Sequence, residues 1–102
     1  MDTKITVIYD NPLDPAAFEA ALPELLARAR QLPGLRRLES ARVWPKEDGS
    51  PTPAYRLLDL YFADDAVASN AVTTPAAEAF LAAVFTAATG GVRIAFADVE
   101  LS

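Results

Sequence analysis

Apolar positions along this chain switch between a two-residue and a three-to-four-residue repeat, and the switches divide it into elements. Thr3 to Asp10 reads TKITVIYD, with Ile5, Val7 and Tyr9 on one face and Thr6 and Ile8 on the other. Both faces are largely apolar, as in a central strand covered on both sides. Asn11, Pro12, Asp14 and Pro15 end the run; Asp14 is placed to cap a helix that Pro15 opens. From about Pro15 to Gln31 the residues Phe18, Leu22, Leu25, Leu26 and Ala29, with Leu32 just beyond, recur at helical steps and form a buried stripe. Glu24 and Arg28 stand four apart, in the favourable order for a surface pair. Pro23 breaks the pattern, and predicts either a tolerated bend or a gap between helix and sheet that opens a pocket.

Leu32-Pro33-Gly34-Leu35 stops the helix. The stretch from Gly34 to Phe62 then carries two strand-like runs, LRRLESARVW and AYRLLDLYF, around which the rest of the chain is organised. Their connection, Pro45 to Pro53, is too long for a tight turn and contains Asp48-Gly49 and three prolines. Pairing symmetric about Gly49 sets Glu39 opposite Asp59, and directly opposed carboxylates repel. Three resolutions are open: a shifted register, neutralisation by Arg37, or one carboxyl kept protonated and able to serve as a general acid or base.

Asp64 to Val72 is a short helix capped by Asp64 or Asp65. Thr74 caps a second one, opened by Pro75. Ala76 to Ala88 carries Phe80, Leu81, Val84 and Phe85 as its buried stripe, filling a core or lining a cavity. Thr89-Gly90-Gly91 breaks it, and Val92 to Leu101 is the final strand. The order strand, helix, strand, strand, helix, strand predicts one α+β domain over residues 1–102. Its fold is ferredoxin-like, βαββαβ, with an antiparallel sheet and both helices on one face. The other sheet face is left bare. With 52% hydrophobic residues, its simplest cover is a second copy of the same sheet. That gives a homodimer, a dimeric α+β barrel.

Composition narrows the chemistry. A net charge of −5 argues against nucleic acid, whose phosphates need a basic field. The chain has no cysteine and no histidine, so thiolate metal sites, thiol nucleophiles and the commonest base near neutral pH are excluded. We expect no metal and no cofactor. No signal peptide and no apolar run of membrane-spanning length is visible, so the expected location is cytoplasmic, away from membranes. Gly-rich phosphate loops, nucleophile elbows and zinc-protease motifs do not occur. The groups left for chemistry are Tyr9, Tyr55, Tyr61, Asp59, Glu39 and Arg37; a structural tyrosine with a satisfied hydroxyl is the ordinary role for each phenol.

LPGLRRLE at Leu32 to Glu39, DGSPTPAYRLLDLYF at Asp48 to Phe62 and ATGGVRIAFADVE at Ala88 to Glu100 together resemble the EthD family. That family is associated with ethyl tert-butyl ether degradation and belongs to the dimeric α+β barrel superfamily. The resemblance implies a dimer with a ligand pocket between helices and sheet. Family members often carry a histidine late in the first helix; here that region reads Leu22-Pro23-Glu24-Leu25-Leu26. A polar or metal-binding pocket group therefore does not carry over, and neither does haem ligation. Two alternatives remain: a subgroup with apolar pocket walls, or a pocket altered, for instance by engineering.

Three functions stay open. The first is a cofactor-independent oxidoreductase, isomerase or cyclase acting on a small hydrophobic or aromatic molecule, as superfamily relatives imply. Asp59, Tyr61 and Tyr9 are then the catalytic candidates, a carboxylate base with phenol donors. The second is a non-catalytic binding protein for such a molecule. The third is an accessory subunit of a degradative pathway. Leu22, Leu25, Leu26, Phe80, Val84, Phe85 and Glu39 are the candidate ligand-binding residues. The expected partners are a second copy of the chain and the small molecule.

Overall fold

The computed structural model describes residues 1–102. The elements follow the predicted order: β1 (Thr3–Tyr9), α1 (Pro15–Ala29), β2 (Arg37–Arg42), β3 (Arg56–Phe62), α2 (Asp65–Ala71), α3 (Pro75–Ala87) and β4 (Val92–Asp98). The strands lie in the order β2-β3-β1-β4, and every neighbouring pair is antiparallel. This is the ferredoxin-like α+β fold.

Local chemistry starts and stops the elements as the sequence predicts. Asp14, Asp64 and Thr74 cap α1, α2 and α3, each accepting from the backbone N–H three residues on, at 3.2, 2.9 and 3.2 Å. Pro15 and Pro75 sit in the first turns of α1 and α3. α1 runs without a break through Pro23, which is solvent-exposed. Gly34 turns the chain after α1 at φ +79°, and a Cβ there would collide with the Val67 side chain.

Period two along the strands then decides the layers. Ile5, Val7 and Tyr9 of β1, with Leu58, Leu60 and Phe62 of β3, face the helices and are all buried. Phe18, Leu25 and Ala29 of α1 and Ala77, Phe80 and Val84 of α3 cover them. Burying each large apolar side chain contributes about 1.5–3 kcal/mol. The intervening strand residues face the opposite side, where no helix lies: Lys4, Thr6 and Ile8 of β1, Leu57, Asp59 and Tyr61 of β3, and Ala95 and Ala97 of β4.

Phe85 departs from expectation. It is 58% exposed. Ala77, Phe80 and Val84 keep three- and four-residue spacing and aim at the sheet; Phe85, one step past Val84, is carried about 100° round the helix. Several boundaries also shorten: α1 ends at Ala29, β2 spans only Arg37–Arg42, β3 starts at Arg56 and β4 ends at Asp98.

Candidate functional site

The register decides which polar groups meet. Glu39 is paired with Asp59, and Arg37 with Tyr61, across β2 and β3. Thr6 and Lys4 of β1 lie against Asp59 and Tyr61 from the other side. Six polar side chains therefore gather on the helix-free face. Lys4 Nζ is 3.5 Å from Asp59 Oδ1, and the Thr6 hydroxyl donates to the same oxygen at 2.5 Å. Arg37 is ion-paired with Glu39, and the Tyr61 hydroxyl donates to Glu39 Oε1 at 2.8 Å. The Arg37 guanidinium also lies 5.0 Å from the Tyr61 ring centroid.

The opposed carboxylates are thus resolved by cations, in the unshifted register. Bonds from Arg37 and Tyr61 hold the Glu39 carboxyl below its ordinary range, and the donated bond to Glu39 pushes the Tyr61 phenol up. This corrects the alternative of a raised, proton-holding carboxyl at Glu39. Glu39 itself faces the helix-free side, away from the space between helices and sheet.

Tyr9 is separated from this cluster. An odd position in β1, it points to the helices, where its hydroxyl donates to the Val84 carbonyl at 3.0 Å. Its ring meets Phe18 edge to face at 4.8 Å, and burial pushes the phenol up. The proposed trio of Asp59, Tyr61 and Tyr9 is therefore split by the sheet: Tyr9 pairs with Arg56 and shares its helix-facing side, whereas Asp59 and Tyr61 pair with Thr6 and Lys4 on the opposite side.

The expected ligand space between helices and sheet is filled with side chains. Leu25, Phe80 and Val84 are buried in the core, while Leu22 and Leu26 are half-buried on its flank. Phe85 projects outward, away from that space. The largest concavity is instead a groove of about 690 Å³ along α1 and α3. Phe18 and Leu25 border it together with Ala17, Ala21, Ala79, Ala82, Ala83 and Ala87. Asp14, Glu24, Arg28, Thr86 and Thr89 supply its polar members. Small side chains at the helix–helix seam leave the space open. Of the seven ligand candidates, Leu25 alone borders it.

A second polar cluster was not foreseen. Arg56 faces the helices at the end of β3, and its side chain is 11% exposed. It donates to both oxygens of Glu19 on α1, at 3.0 and 3.2 Å, and to the Ser40 hydroxyl at 3.0 Å. The Tyr55 hydroxyl donates to Glu19 Oε1 at 2.9 Å. Burial pushes the Glu19 carboxyl up, but the bonds from Tyr55 and Arg56 outweigh it and leave the carboxyl lowered. The sequence signal was present: Arg56 occupies an inward position in alternation with Leu58 and Leu60. No three acidic side chains converge as metal ligands would, and no helix is long and apolar enough to cross a membrane.

Comparisons place these features among known proteins. No protein-family model matches the chain. An uncharacterized 11.0 kDa protein in the thcB-thcC intergenic region of Rhodococcus erythropolis is 35% identical over 98 residues, spanning 95% of this chain and 94% of its own. An EthD family protein from Bacillus halodurans superposes with a TM-score of 0.88 at 22% identity, covering 98% of this chain and 100% of that one. SnoaB, a cofactor-independent oxygenase from Streptomyces nogalater, superposes at 0.66 with 17% identity, covering 99% of this chain and 94% of that one. This chain therefore belongs to the family of the Rhodococcus erythropolis protein and has the EthD-like, ferredoxin-like fold.

Proposed function

We propose that this protein is a homodimeric binding protein for a small apolar or aromatic molecule, working without a resident cofactor. The groove of about 690 Å³ along α1 and α3 carries this reading. Its size and its apolar lining with a few polar members match ordinary small-molecule sites. The EthD-like fold is consistent with a role in degradative or secondary metabolism. The dimer rests on the helix-free face, where Ile8, Leu57, Ala41, Ala95 and Ala97 leave apolar surface for a second copy to cover. The test is titration with the neutral fluorophore N-phenyl-1-naphthylamine, with native mass spectrometry for assembly. A dimer with saturable binding, weakened about tenfold or more in Ala82→Phe, is expected. A monomer, absent binding, or binding unchanged in Ala82→Phe overturns the reading.

A second reading is catalytic. Asp59 is 16% exposed in its side chain and stands beside Tyr61 on the face that a second copy would enclose. Asp59 would act as base and Tyr61 as phenol donor to an enolate. SnoaB offers the precedent of cofactor-independent oxygenation on this fold. Asp59→Asn should then abolish turnover of an enolisable aromatic substrate while leaving the thermal melt intact; retained turnover removes Asp59 as base.

A further inference from the structure

Of the nine lysines and arginines, six lie within ion-pair distance of a carboxylate: Lys4, Arg28, Arg36, Arg37, Arg56 and Arg93. Arg30, Arg42 and Lys46 do not. Two of these three, Arg42 and Lys46, line the same cavity. It measures about 520 Å³ and lies between the β2–β3 connection and the strand ends, with Val43, Thr52 and Tyr55 among its walls. No aspartate or glutamate lines it, in a chain whose net charge is −5.

Two nearby carboxylates, Asp48 and Glu19, are engaged elsewhere, and Glu47, next in sequence to Lys46, does not line the cavity. Asp48 accepts from the Ser50 N–H and hydroxyl at 2.9 and 2.7 Å. Glu19 is held by Arg56 and Tyr55. The register adds a further reason for a missing anion. Arg42 is paired directly with Arg56 across the strands, and like charges so placed repel. Glu19 discharges Arg56 in a close ion pair and reaches Arg42 only at longer range. The Arg42 guanidinium lies 5.8 Å from the Tyr55 ring centroid, so cation and aromatic surface occur side by side.

We propose that this cavity binds a small aromatic carboxylate, its carboxylate on Arg42 and Lys46 and its ring against Tyr55 and Val43. A planar guanidinium takes a carboxylate in two parallel bonds, with the lysine adding a point charge. The cavity shares no lining residue with the α1–α3 groove, so the site stands independently of the ligand assigned there.

The experiment is calorimetric titration of the intact protein with benzoate and, separately, with inorganic phosphate. Trp44, the only tryptophan, lies between the lining residues Val43 and Pro45 and gives a fluorescence readout of the same event. Expected is saturable benzoate binding, about tenfold or more weaker in Arg42→Gln, weaker in Lys46→Gln and unchanged in Arg30→Gln. All three positions are solvent-exposed, and circular dichroism verifies folding of each variant. Phosphate should bind at least about tenfold more weakly than benzoate. Absence of saturable benzoate binding, equal binding by wild type and Arg42→Gln, or phosphate bound as tightly as benzoate overturns the proposal.

Discussion

Glu39 and Asp59 face each other directly across β2 and β3, yet each carboxylate is held by its own cation, Arg37 for one and Lys4 for the other. The arrangement converts a repulsive pair into an alternating set of charges on one sheet face. It also predicts a pH dependence. The folded-state pKa of Glu39 lies below its ordinary value of 4.5. Its contribution is therefore fully present above that value and is lost as pH falls through the lowered folded pKa. Thermal melts from about pH 6 down to about pH 3 should show a smaller acid-induced fall in Tm for Glu39→Gln than for wild type.

Tyr9 has a structural task. Val84 lies in the last turn of α3, where carbonyls run out of helical donors, and the Tyr9 hydroxyl supplies one. Tyr9→Phe should cost about 1–3 kcal/mol in urea unfolding, the penalty of a buried acceptor deprived of its donor. Ligand binding in the α1–α3 groove should not change, which separates this role from a catalytic one.

The two phenylalanines of α3 should behave differently. Phe80 is 4% exposed and Phe85 58%. Phe80→Ala should destabilise by about 3–5 kcal/mol, as buried large-to-small changes do. Phe85→Ala should cost less than about 1 kcal/mol, measured by the same denaturant titration.

Gly90 marks the contact between two loops at one end of the sheet. A Cβ at this position would strike the backbone carbonyl of Asn11. Backbone cannot yield as a flexible side chain does. Gly90→Ala should therefore lower stability by about 1–3 kcal/mol, visible as a reduced urea midpoint, whereas Gly49→Ala meets no neighbouring atom and answers only to its positive φ.

Much of this molecule could be read from residue order. The caps at Asp14, Asp64 and Thr74 and the prolines behind them act over three or four residues, so sequence spacing alone locates them. The period-two alternation of Ile5, Val7 and Tyr9 identifies a strand face, and symmetry about Gly49 places Glu39 opposite Asp59. The grouping of Asp59, Tyr61 and Tyr9 could not be settled this way. It depends on which alternating set of β1 residues the helices cover, and both sets contain apolar residues. Only docking of α1 and α3 breaks that tie: Tyr9 goes into the core, and Asp59 and Tyr61 go to the helix-free face. The same docking closes the expected pocket and leaves a groove at the alanine-rich seam, because cavity shape depends on how opposed surfaces fit. Arg42 and Lys46 border one cavity for a related reason. Local pattern governs contacts within a turn or a strand, whereas sites are made by surfaces that come together only when the chain is folded.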